Sequence, residues 1–566
     1  MKPSLRARLF VGAVILTAMG VRGDGQIWQD ASPGVFKART ELVLVPVVVT
    51  DHNGKFVHGL GKEDFRLEHN GKLQALRTFE EVTARLAPVR RTELPNNAYT
   101  NELANDPNAK PLYIILVDVL NTPFENQVQG REALMKMLAQ TVPTNALVGL
   151  AVLDINGLHV LHDFTNDPRI LVSALRTATG QPALDSATRD AAASSLGEAR
   201  QLVAMITQGL NAEKALQMAS AALASGVVAT SKQNQSIMTT LEAFRHIAEG
   251  VKAIPGRKAL IWASGGFPFK VNTTTNEITG GVAPEVYRRT MEMLAGANVA
   301  MYPVDLSGLT AEPAPKVVEQ RDVASVTPGR IRGEELRNPF NDNSAATLRQ
   351  SVHEGMKLFA EITGGRAFYN MNDLSGAFQI AYADLSNFYL VGYYLAKDSK
   401  PGWQRLRVSV GKAAIQVRSR SGFFLTRSDD RTVREVDERM ALESPVDYTG
   451  LPLTVQWGQI EGSAEKKANF VVTVAPGSAR VDTERKNAVD IDFIAVVFDA
   501  SGRKVAQVSQ NFRADLTPET VQQIAANGVR YANTIKVPSG EYGVRFVVRD
   551  NLTGVLGSVW APLKAD

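Results

Sequence analysis

Three runs of this 566-residue chain are apolar from end to end and finish on a small polar residue: "LYIILVD" at Asp118, "ALIWAS" at Ser264 and "VAMYPVD" at Asp305. A strand with one face in water alternates apolar and polar side chains, whereas a continuous apolar run belongs to a strand covered on both faces. A fourth such run, "ALVGLAVLDI", contains Asp154. Helical patterns separate them. "GREALMKMLAQTV" puts Leu134, Met137, Leu138 and Thr141 on one side, and "NDPRILVSALRTA" opens with Asp167 as N-cap and Pro168 at the first helical position. "SIMTTLEAFRHIAEGVKAIPG" spaces Ile237, Leu241, Phe244, Ala248 and Val251 at a helical period, and the Ala- and Ser-rich residues 183–230 are expected to be helical too. Buried strands alternating with helices predict an α/β fold, a doubly wound and mostly parallel Rossmann-type sheet with helices on both faces. "EVYRRTMEMLAGANVAMYPVDLSG", "VHEGMKLFAEITGGRAFYN" and "DLSGAFQIAYADLSNFYLVGYYL" repeat the helix–strand step, so this domain is expected over 110–425. Residues 306–347, polar and rich in Pro and Asn, read as a long surface loop within it.

The flanks have a different period. "LVLVPVVVT" runs into Asn53-Gly54, and Asn70-Gly71 separates "DFRLEH" from "KLQALRTF". Both dipeptides tolerate the positive φ of a type I′ hairpin turn, which predicts an N-terminal antiparallel β module over 36–85. Residues 86–111 read as a linker. "QRLRVSV" and "AIQVRSRSGFF" alternate with period two and trail the α/β domain. The charged stretch 427–449 is expected to be a linker containing a helix, and 450–566 a C-terminal β-sandwich. "DFIAVVFDASGRKVAQV" and "YGVRFVVRDNLTGVLGSVW" are its clearest hairpins.

Lys2, Arg6 and Arg8 precede an apolar run from Leu9 to Val21, with Ala18 and Gly20 as small residues before a cut. The run is too short to span a bilayer, and the layout is that of a secretory signal peptide over 1–23. Residues 1–20 carry those three bases and no acid, so without them the formal charge of +4 falls by three to +1. A nearly neutral chain gives no reason to expect nucleic acid as a partner. Cys is absent, which excludes disulfides, thiolate catalysis and zinc–thiolate sites. The expectation is a periplasmic or secreted protein with no transmembrane span after signal cleavage.

In an open doubly wound sheet, ligands bind beyond the carboxyl ends of the strands, where strand order reverses. Asp118, Asp154, Ser264 and Asp305 stand at those ends, with Asp118 and Ser264 expected to flank the switch. The succession of β module, strand ending in Asp, "RKALIWASGGF", "NVAMYPVD", "LFAEITGGRAFYN" and "FYLVGYYL" over residues 40–425 resembles the von Willebrand factor A (VWFA)-related proteins exported by Acidobacteria. The resemblance implies a VWFA core, similar in fold to integrin I domains, that acts by binding other proteins. It also implies a metal-ion-dependent adhesion site, built from Asp-x-Ser-x-Ser after the first strand, a later Thr, and an Asp after the fourth strand. Mapped here, the Asp is Asp118, the first Ser is replaced by Leu120, and the second is Thr122. The later Thr falls near Thr230 or Ser231, and Ser264 stands where the last Asp belongs. Two of five positions are compromised. Mg²⁺ gives up water reluctantly, so a site short of a carboxylate holds it weakly. The reading favoured is that Asp118, Asn121 and Thr122 satisfy backbone groups in the turn, over a weakened Mg or Ca site on Asp118 and Thr122.

Enzyme motifs are absent from the sequence. No Walker-type loop occurs, no GxGxxG follows a strand, and "WASGGF" lacks the Gly two residues before Ser264 that a nucleophile elbow needs. His159 and His162 are three apart on an expected strand and face opposite sides, and His246 sits beside the apolar face of its helix. The sequence-level expectation is a non-catalytic exported protein without a cofactor, binding a protein or cell-envelope partner through a rim that includes Asp118, Asn121, Thr122 and Ser264. The alternatives are a divalent-metal-dependent adhesion module and an unrecognised hydrolase.

Overall fold

The computed structural model describes residues 42–565 apart from several stretches, the longest at 84–93, 103–110, 178–211 and 308–341. The expected signal peptide, residues 36–41 and most of the 306–347 loop therefore lie outside the described residues.

The chain begins with β1 (Leu42–Thr50), β2 (Phe65–His69), β3 (Lys72–Gln74) and β4 (Thr78–Thr83). The two Asn-Gly turns behave differently. Asn70 and Gly71 take φ of 50° and 77°, as a type I′ turn demands, and His69 pairs directly with Lys72. At the first turn only Gly54 is positive, at 79°. There the Asp51 carboxylate organises the chain, accepting from the amides of Asn53 at 2.9 Å and Lys55 at 2.8 Å. A short strand, β5 (Ala98–Thr100), follows inside the expected linker.

The α/β unit then runs β6 (Leu112–Asp118), α1 (Phe124–Thr141), β7 (Leu147–Asp154), β8 (Gly157–Thr165), α2 (Pro168–Thr177), α3 (Ala212–Gly250) and β9 (Lys258–Ser264). After a small hairpin, β10 (Lys270–Asn272) with β11 (Glu277–Thr279), come α4 (Pro284–Gly296), β12 (Val299–Asp305), α5 (Asp342–Thr363) and α6 (Leu374–Ser386). The main sheet has the order β12-β9-β6-β7-β8, parallel except for the β7–β8 pair. Strand order reverses between β6 and β9. One face buries Phe244, Trp262, Tyr287 and Phe359 under α3, α4 and α5, and the other buries Tyr113, Leu138, Leu171 and Phe378 under α1, α2 and α6. The "RAFYN" segment contributes a single parallel bridge, Val304 to Phe368.

The "NFYLVGYY" strand departs from expectation. This element, β13 (Asn387–Tyr394), does not join the parallel sheet but runs antiparallel between β1 and β4. With β14 (Gly402–Val410), β15 (Gln416–Ser419) and β16 (Gly422–Leu425) it completes two four-stranded sheets, β15-β1-β13-β4 and β16-β14-β2-β3. Val45, Val47, Phe65, Leu67, Tyr389, Val391 and Leu406 fill the space between them. Strands β1–β4 thus need residues 387–425 to be whole, because four short strands alone bury too little apolar surface.

Helix α7 (Arg431–Glu443) leads to β17 (Leu453–Glu461), β18 (Lys466–Val474), β19 (Ala488–Phe498), β20 (Lys504–Asp515), α8 (Pro518–Asn527), β21 (Val529–Val537), β22 (Gly540–Asp550) and β23 (Val555–Ala565). They form two facing sheets, β21-β18-β17-β5 and β20-β19-β22-β23, around a core that includes Val472, Phe493 and Phe546. Strand β5 closes one edge through pairs such as Val455 with Tyr99. Helix α7 is wedged between the units: Arg245 of α3 meets Asp437 at 2.6 Å, both buried, and Arg289 of α4 reaches the other oxygen at 3.2 Å. Among the described residues no helix is long and apolar enough to cross a membrane.

Candidate functional site

Parallel register sets Asp118, Ser264 and Asp305 side by side at the carboxyl edge of β6, β9 and β12. The four residues singled out in the sequence, Asp118, Asn121, Thr122 and Ser264, are brought together here and all are buried. Asp118 is 0% exposed. Its Oδ1 accepts from the Asn121 amide at 2.8 Å. Its Oδ2 accepts from Asn121 Nδ2 at 2.8 Å, Trp262 Nε1 at 2.9 Å and Ser264 Oγ at 3.0 Å. Burial pushes the carboxyl above the usual range, and the hydrogen bonds from Asn121, Trp262 and Ser264 pull the other way.

The surrounding groups are equally committed. Thr122 Oγ1 donates to the Asp118 carbonyl and accepts from the Gly265 amide at 2.7 Å. Asn121 Nδ2 also reaches Thr240 Oγ1 at 3.0 Å, and Ser236 Oγ donates to Asn121 Oδ1. A Cβ at Gly265 would stand 2.9 Å from Thr122 Cγ2, which explains the glycine after Ser264 as a close approach of loop to loop. Leu120 is buried in the core.

Ser231 is exposed on α3, and the side chain of Thr230 lies outside the described residues. The helix instead reaches the site through Ser236 and Thr240, which the sequence reading passed over. Two hydroxyls four residues apart, each just before an apolar face residue (Ile237 and Leu241), were the available signal, since polar groups beside an apolar helical face need partners. Trp262 was also missed, and nothing in a strand otherwise wholly apolar marks its N–H as a ligand of Asp118.

A hard divalent cation needs oxygen lone pairs converging on one point. Here an indole N–H, an amide NH₂, a backbone N–H and a hydroxyl occupy the lone pairs of the one carboxylate, and Leu120 offers no donor. The described residues hold no group of three or more His, Asp or Glu placed to share a metal. As arranged, this donor set does not fit Mg²⁺ or Ca²⁺.

Two imidazoles decorate the same edge. His353 Nε2 lies 3.0 Å from Asp305 Oδ2, and its ring stacks on Tyr369 at 4.4 Å. Ser307 Oγ donates to Asp305 Oδ1 at 2.6 Å. His159 Nε2 lies 3.0 Å from Asp154 Oδ1. Along the rim, Phe124 is 63% exposed and Val128, one turn on, 47%.

No family model matches the chain, and no curated protein does. Among solved structures, the SpRpn10 VWA domain is similar over 35% of this chain and 75% of that one, at 13% identity and a TM-score of 0.18. The chain is a mixed α/β protein with one mostly parallel sheet and several antiparallel ones among the described residues.

Proposed function

We propose that the α/β unit is a VWFA-like domain of an exported, non-catalytic protein, and that its carboxyl edge binds a protein or cell-envelope partner without metal. The observation that carries this is the Asp118 carboxylate at the sheet's switch, satisfied by four donors of its own chain. A site closed in this way holds the edge together and leaves recognition to the rim around it. The exposed Phe124 gives that rim an aromatic anchor, the kind of side chain that dominates interface energetics, with the exposed Val128 one turn on. The sheet order β12-β9-β6-β7-β8, with helices on both faces, supports the domain assignment.

The test is retention of components of the producing cell's envelope fraction on the immobilised chain, in EDTA and in millimolar Mg²⁺. The expected result is equal retention in both, lost in Phe124→Asp. Retention that requires Mg²⁺ would replace this reading by metal-dependent adhesion, and retention untouched by Phe124→Asp would move the interface elsewhere.

A further inference from the structure

A groove of about 1030 Å³ opens at one end of the C-terminal sandwich, remote in sequence from the parallel sheet's edge. Its floor is aromatic and flat. Phe498 and Trp560 lie with ring centroids 6.0 Å apart and planes 24° from parallel. Trp560 is 42% exposed although it sits on the regular strand β23. Gly543 on the neighbouring strand explains the posture, because a Cβ there would stand 1.9 Å from Trp560 Cζ2. Only glycine lets the indole lie down across the sheet. The Arg545 guanidinium, 5.1 Å from the ring centroid, fixes it further.

The walls are mixed. Trp457 is buried, and its indole N–H has no hydrogen-bond partner among the described residues. Glu443, Glu541, Lys564 and Asn97 put acceptors and donors around the aromatic floor. Three acids, Glu443, Asp499 and Glu541, line the groove with one base, Lys564, which lies 3.6 Å from Glu541, so the groove disfavours an anionic ligand.

We propose that this groove binds a carbohydrate. A pyranose presents a flat C–H face that packs on an aromatic ring and an equator of hydroxyls that both donate and accept. The groove offers the matching surfaces, an apolar floor with a few polar groups that fix orientation. An extended peptide added as a strand fits less well. The free edge of β23 is already used, with Leu556 O accepting from the Leu451 amide at 3.0 Å, the Ser558 amide reaching Tyr448 O at 2.9 Å and the Trp560 amide reaching Asp447 at 2.9 Å. Pro562, further along, has no N–H to give.

The experiment is calorimetric titration of the full chain with hexasaccharides of β-1,4-linked glucose, N-acetylglucosamine and xylose. At least one is expected to bind, with affinity about ten-fold weaker in Trp560→Ala, the loss of one stacked ring. Phe498→Ala, the second floor tile, provides the same reading if Trp560→Ala does not fold. Silence with all the sugars, or binding that survives both substitutions in folded protein, overturns the proposal.

Discussion

Replacing Asp118 by alanine tests whether the switch-point carboxylate is a structural strut. The substitution strands four donors, namely the Asn121 amide, Asn121 Nδ2, Trp262 Nε1 and Ser264 Oγ. A buried donor left unmade costs roughly 1–3 kcal/mol. The single Ser264 hydroxyl proton can turn to the Gly266 carbonyl at 2.6 Å, and Asn121 Nδ2 also reaches Thr240, so two of the four keep a partner. Relief from burying a carboxylate returns part of the loss, leaving about 3 kcal/mol net. Asp118→Asn keeps the shape. With its oxygen at the Oδ2 position, where three donors meet, it opposes only the Asn121 amide and costs about 1–2 kcal/mol. Native-state hydrogen exchange read on β6 and β9 peptides measures both, in EDTA and in millimolar Mg²⁺ or Ca²⁺. A loss below about 0.5 kcal/mol in Asp118→Ala would refute the strut, being no more than an ordinary surface change. A metal-dependent gain in protection that the variant abolishes would refute the donor-set argument instead.

Other consequences are as direct. Burial lowers the His246 pKa to about 4, so the unfolded chain takes a proton below about 6.5 that the folded chain refuses until pH 4. Stability is therefore present above pH 6.5 and falls with acidification at about 1.4 kcal/mol per pH unit down to pH 4, a slope that His246→Leu should remove in urea titrations. Gly365→Ala drives a Cβ to 1.8 Å from the Met301 carbonyl oxygen and should cost roughly 3 kcal/mol or more in unfolding free energy. Asn70 holds φ at 50° while Asn53 has no positive φ, so Asn70→Ala should cost about 1–2 kcal/mol and Asn53→Ala less than half of that.

The sheet was readable because its strands are apolar throughout and its helices amphipathic, a pattern few other folds produce. The fate of β13 was not readable for the same reason. "NFYLVGYY" is buried on both sides, with Tyr389, Val391 and Tyr393 in the sandwich core and Phe388 also buried. Continuous burial tells that a strand is central but not in which sheet, and hydrogen-bond partners 300 and more residues away leave no local trace. The site divides along the same line. Asp118, Asn121 and Thr122 are neighbours in sequence and Ser264 ends a strand, so position alone found them. Ser236 and Trp262 act on them across 115 and 144 residues, through helix and strand interiors where the apolar pattern dominates.

Those distant partners change what the edge can be. A lone buried Asp118 would be an uncompensated charge, costly in any sheet. Trp262 and Asn121 supply the donors that make it tolerable, and Ser236 and Thr240 hold Asn121 in place, tying the loop after β6 to α3. The result couples β6, β9 and α3 through one carboxylate, and each group that satisfies it is withdrawn from solvent. On the proposed reading, recognition at this edge falls to what remains outside: Phe124 and Val128 on α1, and Tyr369 stacked on His353 across the sheet. These are apolar and aromatic surfaces, suited to a partner that buries them rather than to one that coordinates a cation.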